Sequence, residues 1–414
     1  MTETDPPPHP GLSFRAFVAA IACIQMVVAM SIDMMVPALG QIASALHVGA
    51  GNERQWVVSS FVLVFGLAQL PYGLAADRFG RRPVLIFSLA LYTIGSFTAA
   101  LAPSFSLLLL ARAAQGVGAA GAQVLSVSVV RDCYAGRQMA RVNSLSFMVF
   151  LIAPTIAPLL GQELLRIAPW PSIFAFLGIY GGLITLWVVL RLPETQHKED
   201  HTGMDWHEFA AAIRLTLVNP MSLGYTLAAM LLLGAWLGFI YSAQQVFSDI
   251  FLQPKLFPAI FSACTVCMAI AALLNARLVE RLGMRRLAHT AMFGFIATSA
   301  MQAAVALSGH DTLLTFALIQ SAMMFCFGLL AGNCGAISME PLGHIAGTAA
   351  SVQGFINMLG AALIGIYIGQ DFNGTLVPLT LGFIICGVLA MVAVTVAEGG
   401  RLFRSHHVVA SPRP

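Results

Sequence analysis

Charged residues are scarce in this chain of 414 residues. Asp, Glu, Lys and Arg make up 9% of it, against roughly 25% of an ordinary soluble domain, whereas hydrophobic residues make up 58%. Cysteine is also scarce: there are seven, and most of them lie inside long apolar runs, so no framework of extracellular disulfides is expected. The composition excludes a soluble globular domain and predicts an integral membrane protein.

Sequence motifs of the common enzyme classes are missing as well. There is no His-Glu-x-x-His, no Gly-x-Ser-x-Gly and no Walker-type phosphate loop, and no ring-forming repeat of charge marks a channel. Cys264 and Cys267 have the spacing of a metal or redox pair, but no Cys or His partner lies near them, so we interpret them as small packing residues. We therefore expect no enzyme activity, no metal, no cofactor and no nucleic-acid partner.

Long apolar runs are abundant. A membrane helix needs about 20 such residues, and twelve runs of that length can be placed along the chain. We predict spans at 14–38, 54–76, 84–102, 105–131, 141–164, 169–192, 221–248, 256–278, 285–308, 311–336, 345–369 and 374–397.

The basic residues indicate how these spans cross the membrane. If the N-terminus is cytoplasmic, 17 of the 21 Lys and Arg residues lie in cytoplasmic loops or tails, where basic side chains concentrate. Arg54, Arg166 and Lys255 lie outside, and Arg112 alone lies within the membrane. The pattern predicts that both termini are cytoplasmic, and it explains the net charge of +3 without a nucleic-acid partner.

The longest polar stretch divides the spans into six and six. We expect a disordered N-terminal tail at 1–13, a six-helix bundle at 14–192, a cytoplasmic linker at 193–220, a second six-helix bundle at 221–397 and a cytoplasmic tail at 398–414. The expected fold is all-α, with two pseudo-symmetric bundles.

A repeated turn supports that symmetry. Gly73-Leu-Ala-Ala-Asp-Arg-Phe-Gly-Arg-Arg82 recurs in part at Glu280-Arg-Leu-Gly-Met-Arg285, so the acid, the first Arg, the Gly and the last Arg keep an offset of 203 residues. Half-chain repeats are typical of membrane transporters. The second copy has lost the leading Gly and one Arg, which predicts the weaker of two gates.

The turn resembles the loop 2–3 signature of the major facilitator superfamily, and further stretches narrow the resemblance. Residues 110–118 (Leu-Ala-Arg-Ala-Ala-Gln-Gly-Val-Gly) are similar to the fourth-helix motif of proton-coupled antiporters, and 153–161 (Ala-Pro-Thr-Ile-Ala-Pro-Leu-Leu-Gly) to their fifth-helix motif. Residues 31–39 and 346–351 resemble signatures of the Bcr/CflA-type drug-efflux branch. Ala157 and Gln162 stand where that fifth-helix motif usually has glycine.

The resemblance implies a secondary active transporter in the bacterial inner membrane that exports small amphipathic drug-like compounds in exchange for protons by alternating access. Its partners would be substrate, protons and the lipid bilayer, and the protein would act as a monomer. A proton-coupled importer or a metabolite exporter of the same fold is the alternative, because the fifth-helix motif is imperfect. A channel or a membrane enzyme is less favoured.

Asp33 and Arg112 are the acid and the base placed deepest within spans. At 1.5 Å per residue both lie roughly 8–10 Å below the outer surface, so their depths allow them to meet or to share a water cluster. An ionised group there costs at least a few kcal/mol unless it is paired or hydrated. Asp33 is therefore predicted to be the proton-coupling acid, with Arg112 tuning it; a fixed structural pair is the alternative.

Helical spacing places polar and Met side chains on faces that would line a cavity. Candidate substrate contacts are Met26, Met30, Gln115, Gln123, Tyr241, Gln245 and Asn357. Met is adaptable, and neutral amides and aromatics suit weakly charged amphiphiles. Equally, Met residues pack in apolar surroundings, and Gln and Asn often join one membrane helix to another.

The repeated turn and the fifth helix are the candidate moving parts. The predicted gate comprises Gly73, Asp77, Arg78, Gly80, Arg81, Arg82 and Arg131. Asp77 would pair with Arg131 or with the start of span 11; the alternative is that these charges only fix topology. Pro154, Pro158 and Gly161 remove two backbone donors and thin the helix, and the resemblance implies that this helix packs on span 8.

Overall fold

The computed structural model describes residues 12–49, 51–134, 136–195 and 213–403. These residues contain twelve long helices and no strand. The long helices are α1 (Phe14–Asp33), α2 (Trp56–Phe79), α3 (Arg81–Ala100), α4 (Phe105–Cys133), α5 (Gly136–Ile167), α6 (Pro171–Arg191), α7 (Pro220–Gln245), α8 (Phe257–Leu282), α9 (Met284–Ser308), α10 (Leu313–Met339), α11 (Ala346–Gln370) and α12 (Val377–Ala397).

Each predicted span overlaps one of these helices. Within the described ranges, eleven helices are long and apolar enough to cross a membrane. The twelfth, α5, has 32 residues and is about 48 Å long at 1.5 Å per residue, which is more than a bilayer core requires. The predicted all-α membrane fold is confirmed. Most of the expected tail at 1–13, the centre of the linker at 193–220 and residues 404–414 lie outside the described residues.

Polar side chains and glycines mark the ends of several helices. Ser104 caps α4 and Asn219 caps α7, each accepting a hydrogen bond from a free backbone N–H of the first turn. Thr312 forms a capping box at the start of α10. Gly80 and Gly283, with φ of +91° and +80°, separate α2 from α3 and α8 from α9. The two copies of the repeated turn therefore have the same backbone shape.

The first span differs from its prediction. It was expected to be a continuous helix over 14–38, but α1 ends at Asp33 and is followed by a 3-10 turn, Val36–Ala38, and a short helix, Leu39–Ala45. Pro37 has no N–H, so it cannot donate to the Asp33 carbonyl four residues before it. Asp33 thus lies at a break in the helix, and not one turn inside it.

The two halves of the chain pack alike. The contacts of α1 with α5, α2 with α4, α3 with α4 and α3 with α6 recur as contacts of α7 with α11, α8 with α10, α9 with α10 and α9 with α12. Each helix in the second set has a number six higher than its counterpart in the first set. The helices therefore form two pseudo-symmetric bundles, called here the N-half (α1–α6) and the C-half (α7–α12).

Two helix pairs join the halves most extensively, α2 with α11 and α5 with α8. On α2, a Cβ added to Gly66 would lie 3.0 Å from the backbone nitrogen of Leu359 and 3.1 Å from its Cα. The backbones of α2 and α11 therefore touch at this level, as small residues in membrane helices permit.

The ends of the bundles define two faces. Even-numbered helices end at the face that carries Asp77, called here the Asp77 face, and begin at the face that carries Asn52, called the Asn52 face. The charge pattern predicts that the Asp77 face is cytoplasmic.

Candidate functional site

Asp33 is buried where α1 breaks. Asp33 is 2% exposed, and within the described ranges its Oδ1 has no hydrogen-bond partner. The next residue, Met34, turns its carbonyl oxygen toward α5, so closely that a Cβ added to Gly161 would overlap it. Glycine at 161 therefore lets the fifth helix approach the break that carries the acid.

The fifth helix also contacts the C-half, as the resemblance implies. Ser262 of α8 donates a hydrogen bond of 2.5 Å to the Thr155 carbonyl, and the hydroxyls of Thr155 and Thr265 lie 3.1 Å apart. Of the two departures from the motif, Ala157 is fully buried and Gln162 donates to the Lys255 carbonyl at 3.1 Å. Gln162 thus adds a bond between the halves. Pro154 and Pro158 are buried on the same helix, within its helical course.

Arg112 is fully buried, but it does not contact Asp33. It donates to the carbonyls of Val57 and Ser31, at 2.8 and 3.0 Å, and to the Gln115 side chain. Its guanidinium also lies 4.5 Å from the centre of the Phe61 ring. These contacts tie α4 to α1 and α2. In this arrangement Arg112 does not form a direct contact with Asp33, because carbonyls and an amide occupy the guanidinium donors.

The Arg112 contacts continue into α3. Gln115 donates to the Ser96 hydroxyl at 2.7 Å, and Ser31 shares a hydrogen bond of 2.7 Å with the Tyr92 hydroxyl. Four helices of the N-half are thereby joined by one buried polar network. Gln115, predicted to contact substrate, has both of its polar groups engaged in this network.

The other candidate substrate contacts lie on several helices of both halves. Met30 is buried, and Met26 is partly buried, on α1. Gln123 Oε1 and the Tyr241 hydroxyl are buried and lack a hydrogen-bond partner among the described residues. The sequence fixes the face of a helix on which each residue lies, but not which faces meet.

One small cavity lies in the C-half. Its volume is about 180 Å³, and it is lined by residues of α7, α10 and α11: Ala229, Leu232, Leu233, Phe327, Leu330, Ala331, Cys334 and Asn357. Asn357 brings an Oδ1 atom without a hydrogen-bond partner in the described part of the chain. Phe327 stacks on Trp236, with ring centres 6.0 Å apart. Ligand pockets usually measure roughly 300–1,000 Å³, so this cavity would have to widen to hold a whole drug-sized molecule.

The Asn52 face carries a polar contact between the halves that sequence reasoning missed. Gln55 donates to the Gln245 side chain at 2.5 Å and to the Gly369 carbonyl at 2.8 Å, and Gln245 donates to Asn52 at 2.6 Å. Asn52 donates to the Gln370 carbonyl at 2.8 Å. We call these four amide residues the Asn52 lock. Gln245, predicted to contact substrate, is part of it.

An ion pair lies beside the lock. Arg54 of the N-half binds Asp249 of the C-half at 2.5 Å, with side chains 17% and 41% exposed. Partly exposed pairs of this kind contribute about 0–1 kcal/mol. The contact therefore aligns the two halves without fixing them together.

On the Asp77 face, Asp77 pairs within its own half. Arg81 binds Asp77 at 2.6 Å and Asp132 at 3.0 Å, whereas Arg131 forms no ion pair with a described residue. In this arrangement Asp77 does not form an ion pair with Arg131, one of its two predicted partners, because Arg131 lies on the exposed side of α4 and Arg81 lies one turn from Asp77.

The rest of the predicted gate surrounds this pair. Arg82 donates to the Val189 carbonyl at 2.7 Å, and the exposed Arg78 lies over the Phe79 ring at 5.3 Å. A Cβ added to Gly73 would lie 3.8 Å from the Ser351 hydroxyl of α11. Gly73 thus lies where α2 faces the other half.

Glu194 completes the turn and was not predicted. Its carboxylate accepts hydrogen bonds from the backbone N–H groups of Arg81 and Arg82, at 3.0 and 3.1 Å. A carboxylate at the first turn of a helix also interacts favourably with the helix dipole. Glu194 therefore joins the end of α6 to the start of α3.

Gly80 and Gly283 allow a prediction about this cap. Both have φ and ψ values that only glycine adopts without strain, so replacement by Ala is expected to cost about 1–3 kcal/mol at either site. At Gly80 the new Cβ would also lie 2.7 Å from Glu194 Oε2, whereas at Gly283 it would meet no atom within 4 Å. Gly80→Ala should therefore lower the melting temperature of the purified protein more than Gly283→Ala. Equal losses would show that the Glu194 cap contributes nothing.

The second copy of the turn has ion pairs of its own. Arg285 binds Glu340 at 2.8 Å and Glu398 at 2.9 Å, as Arg81 binds two acids in the N-half. Glu194 and Glu398 follow the last helices of their halves, 204 residues apart. The sequence predicted a weaker second gate, but different acids supply a network with the same number of ion pairs.

Comparisons with known proteins agree with this architecture. The family model described as Major Facilitator Superfamily matches residues 21–366. The chain is 25% identical over 387 residues to the bicyclomycin resistance protein homolog of Haemophilus influenzae, covering 91% of this chain and 94% of that protein. It is 28% identical over 363 residues to the chloramphenicol resistance protein of Pseudomonas aeruginosa, covering 85% and 83%.

A solved structure shares the fold. The proton:xylose symporter XylE, bound to 6-bromo-6-deoxy-D-glucose, aligns with a TM-score of 0.75 and 14% identity, covering 94% of this chain and 96% of that one.

Proposed function

We propose that this chain, which belongs to the Major Facilitator Superfamily and is therefore a membrane transporter and not an enzyme, exports small amphipathic compounds in exchange for protons. Relatives over most of its length are named for resistance to bicyclomycin and chloramphenicol. The family, the bacterial relatives and the apolar helices place the protein in the inner membrane as a multi-pass protein.

The observation that carries the proposal is the environment of Asp33. The buried carboxyl has an oxygen without a hydrogen-bond partner in the described part of the chain, and no described Arg or Lys pairs with it. An ionised carboxylate in such a place is costly, whereas a neutral one that carries a proton is tolerated. In our proposal, this arrangement holds the proton, and a change in the packing of α1 and α5 around Gly161 hydrates Asp33 and releases it.

Alternating access would use the two helix pairs that join the halves. The Asn52 lock and the Arg54–Asp249 pair hold the halves together on the Asn52 face. Polar bonds of this kind are each worth about 1 kcal/mol net, so their loss is within the reach of substrate and proton binding. Opening there would be matched by a closer approach of the halves on the Asp77 face, where Gly73 faces Ser351.

Substrate recognition would rest on apolar and aromatic surface with few hydrogen-bonding groups. The C-half cavity offers Phe327 and the single acceptor Asn357 Oδ1, and widening between the halves would add Tyr241 and Met30. Such a surface suits neutral or weakly charged amphiphiles. We also propose that the protein acts as a monomer with both termini in the cytoplasm.

Everted membrane vesicles from a pump-deficient bacterial host test the proposal. After respiration acidifies the lumen, added chloramphenicol or ethidium should enter the vesicles while protons leave, so the lumen becomes more alkaline. An uncoupler should abolish substrate accumulation. Substrate and proton moving in the same direction would indicate a symporter instead, and substrate accumulation that survives the uncoupler would exclude proton coupling.

A further inference from the structure

The C-half contains a buried acid–base cluster beside the second turn, at the Asp77 face. The Glu398 side chain is completely buried, and its Oε1 accepts hydrogen bonds from Arg285 Nε and from the Tyr225 hydroxyl, both at 2.9 Å. The Tyr225 oxygen lies 2.8 Å from His289 Nε2. His289 in turn is fully buried on α9.

Only one placement of protons fits these contacts. The Phe403 N–H points at His289 Nδ1 over 3.0 Å, so Nδ1 must be an acceptor without a proton. The single proton of a neutral imidazole is then on Nε2 and is donated to the Tyr225 oxygen. Tyr225 in turn donates the hydrogen bond of its own hydroxyl to Glu398 Oε1. The relay therefore runs from Phe403 through His289 and Tyr225 to Glu398.

The segment after α12 folds back to make this bond. Gly399 and Gly400 have φ of +59° and +77° and reverse the chain, and Phe403 itself has a φ of +65°, which is uncommon for a residue with a side chain. The Phe403 ring stacks on Phe293, with centres 6.1 Å apart, and its carbonyl lies 3.5 Å from Arg286 Nε. A strained residue held from several sides indicates that the surrounding contacts determine its position.

We propose that His289 is a proton-binding site that controls this segment, residues 399–403, called here the tail latch. A second proton on the imidazole must go to Nδ1, where it turns the acceptor of the Phe403 N–H into a donor. The two N–H groups then face each other, and the bond is lost. The latch is closed when His289 is neutral and opens as the pH falls.

Burial and the neighbouring charges together set the balance of this site. Arg285 and Arg286 on α9 disfavour a cationic imidazole, whereas Glu398 after α12 and Glu340 after α10 favour it. Tyr225 on α7 separates His289 from Glu398. Cys334 of α10 lies near Tyr225. Opening the latch releases the end of α12 beside the Arg285–Glu398 pair. Because the latch opens when His289 takes up a proton, the proton concentration on the Asp77 face would change the packing of the C-half at this end.

The N-half has no counterpart of the relay. The positions 203 residues before Tyr225 and His289, at the offset of the repeated turn, are Ala22 and Ile86, which can neither titrate nor form side-chain hydrogen bonds. The latch is thus a feature of one half, and it is independent of whether Asp33 couples transport to protons.

Fluorine NMR of the full chain, with 4-fluorophenylalanine at position 403, tests the proposal in detergent without any transport measurement. Between about pH 8 and pH 5, the range in which His changes charge, the signal should move from the stacked to the solvent-exposed position. His289→Gln keeps a donor and an acceptor but does not titrate, so its signal should stay at the high-pH position. His289→Ala should show the exposed position at every pH.

Two results would overturn the proposal: a wild-type signal that does not move with pH, or a His289→Gln signal that moves as the wild type does. Tyr225→Phe provides a second test if His289→Gln fails to fold. It leaves His289 able to titrate but removes the acceptor of its Nε2–H, so the midpoint of the transition should shift. An unchanged midpoint would show that the relay is not coupled to the latch.

Discussion

Asp33→Asn is expected to abolish uphill export while leaving a folded protein. Asn keeps the shape of the protonated acid but cannot release a proton, so transport loses its driving force. One charge crossing about 100 mV releases about 2.3 kcal/mol, which sustains roughly a 40-fold gradient of a neutral substrate. In proteoliposomes with an imposed gradient, the wild type should approach this accumulation ratio and Asp33→Asn should remain near one.

Two variants serve as controls for that loss. Asp33→Glu retains a titratable carboxyl and should keep part of the accumulation, and Asp371→Asn removes an exposed acid at the Asn52 face and should leave it unchanged. Exchange of substrate down its own gradient should persist in Asp33→Asn, because it needs no proton. Uphill accumulation by Asp33→Asn at the wild-type ratio would assign proton coupling to another residue.

Cross-linking Arg54→Cys to Asp249→Cys is expected to stop transport completely. The native ion pair joins the two halves at 2.5 Å, and its partly exposed side chains make it weak enough to break in every transport cycle. A covalent bridge cannot break in this way. A short, reducible bifunctional thiol reagent, applied after the seven native cysteines have been replaced, should reduce transport to background, and a reducing agent should restore it.

The matched control joins two residues that stay together. Glu163 and Arg166 also form an ion pair, but both belong to α5 and lie one turn apart. The same reagent on Glu163→Cys with Arg166→Cys should therefore leave transport unchanged. If the cross-linked Arg54–Asp249 variant still transports, the Asn52 face does not open during the cycle.

Helices were predictable from this sequence because membrane spans depend on one dominant property. A run of about 20 apolar residues satisfies its backbone internally only as a helix, whatever its neighbours are. The break at Asp33 depended instead on a single missing donor, that of Pro37, within a run that remained apolar. Pro37 was visible in the sequence, and its effect on the Asp33 carbonyl could have been predicted.

The surroundings of Arg112 could not be derived in the same way. Helix rise places Asp33 and Arg112 at similar depths, but the direction in which a side chain points depends on the rotation of each helix about its axis. Arg112 faces the carbonyls of Val57 and Ser31, which carry no signal in the sequence, since every residue has a carbonyl. Depth was therefore necessary for the predicted pair, but it was not sufficient.

The contacts missed at the faces have a different cause. Asn52 and Gln55 lie at the start of a span, where polar residues are expected in any membrane protein, so nothing distinguished them as partners of Gln245. Glu194 and Glu398 each follow the last helix of their half, but they lie 204 residues apart. The repeated turn has an offset of 203 residues, so that offset alone did not pair them.

The contact of Gly66 with Leu359 has a mechanical consequence. Because backbone meets backbone there, no side-chain rotamer can shift the point about which α2 leans on α11. Gly66 lies ten residues from the start of α2 and thirteen from its end, which gives lever arms of about 15 Å toward the Asn52 face and about 20 Å toward the Asp77 face. Any tilt of α2 about this contact therefore displaces Phe79 about a third further than Trp56. The opening between the two halves is thus expected to be wider at the Asp77 face than at the Asn52 face.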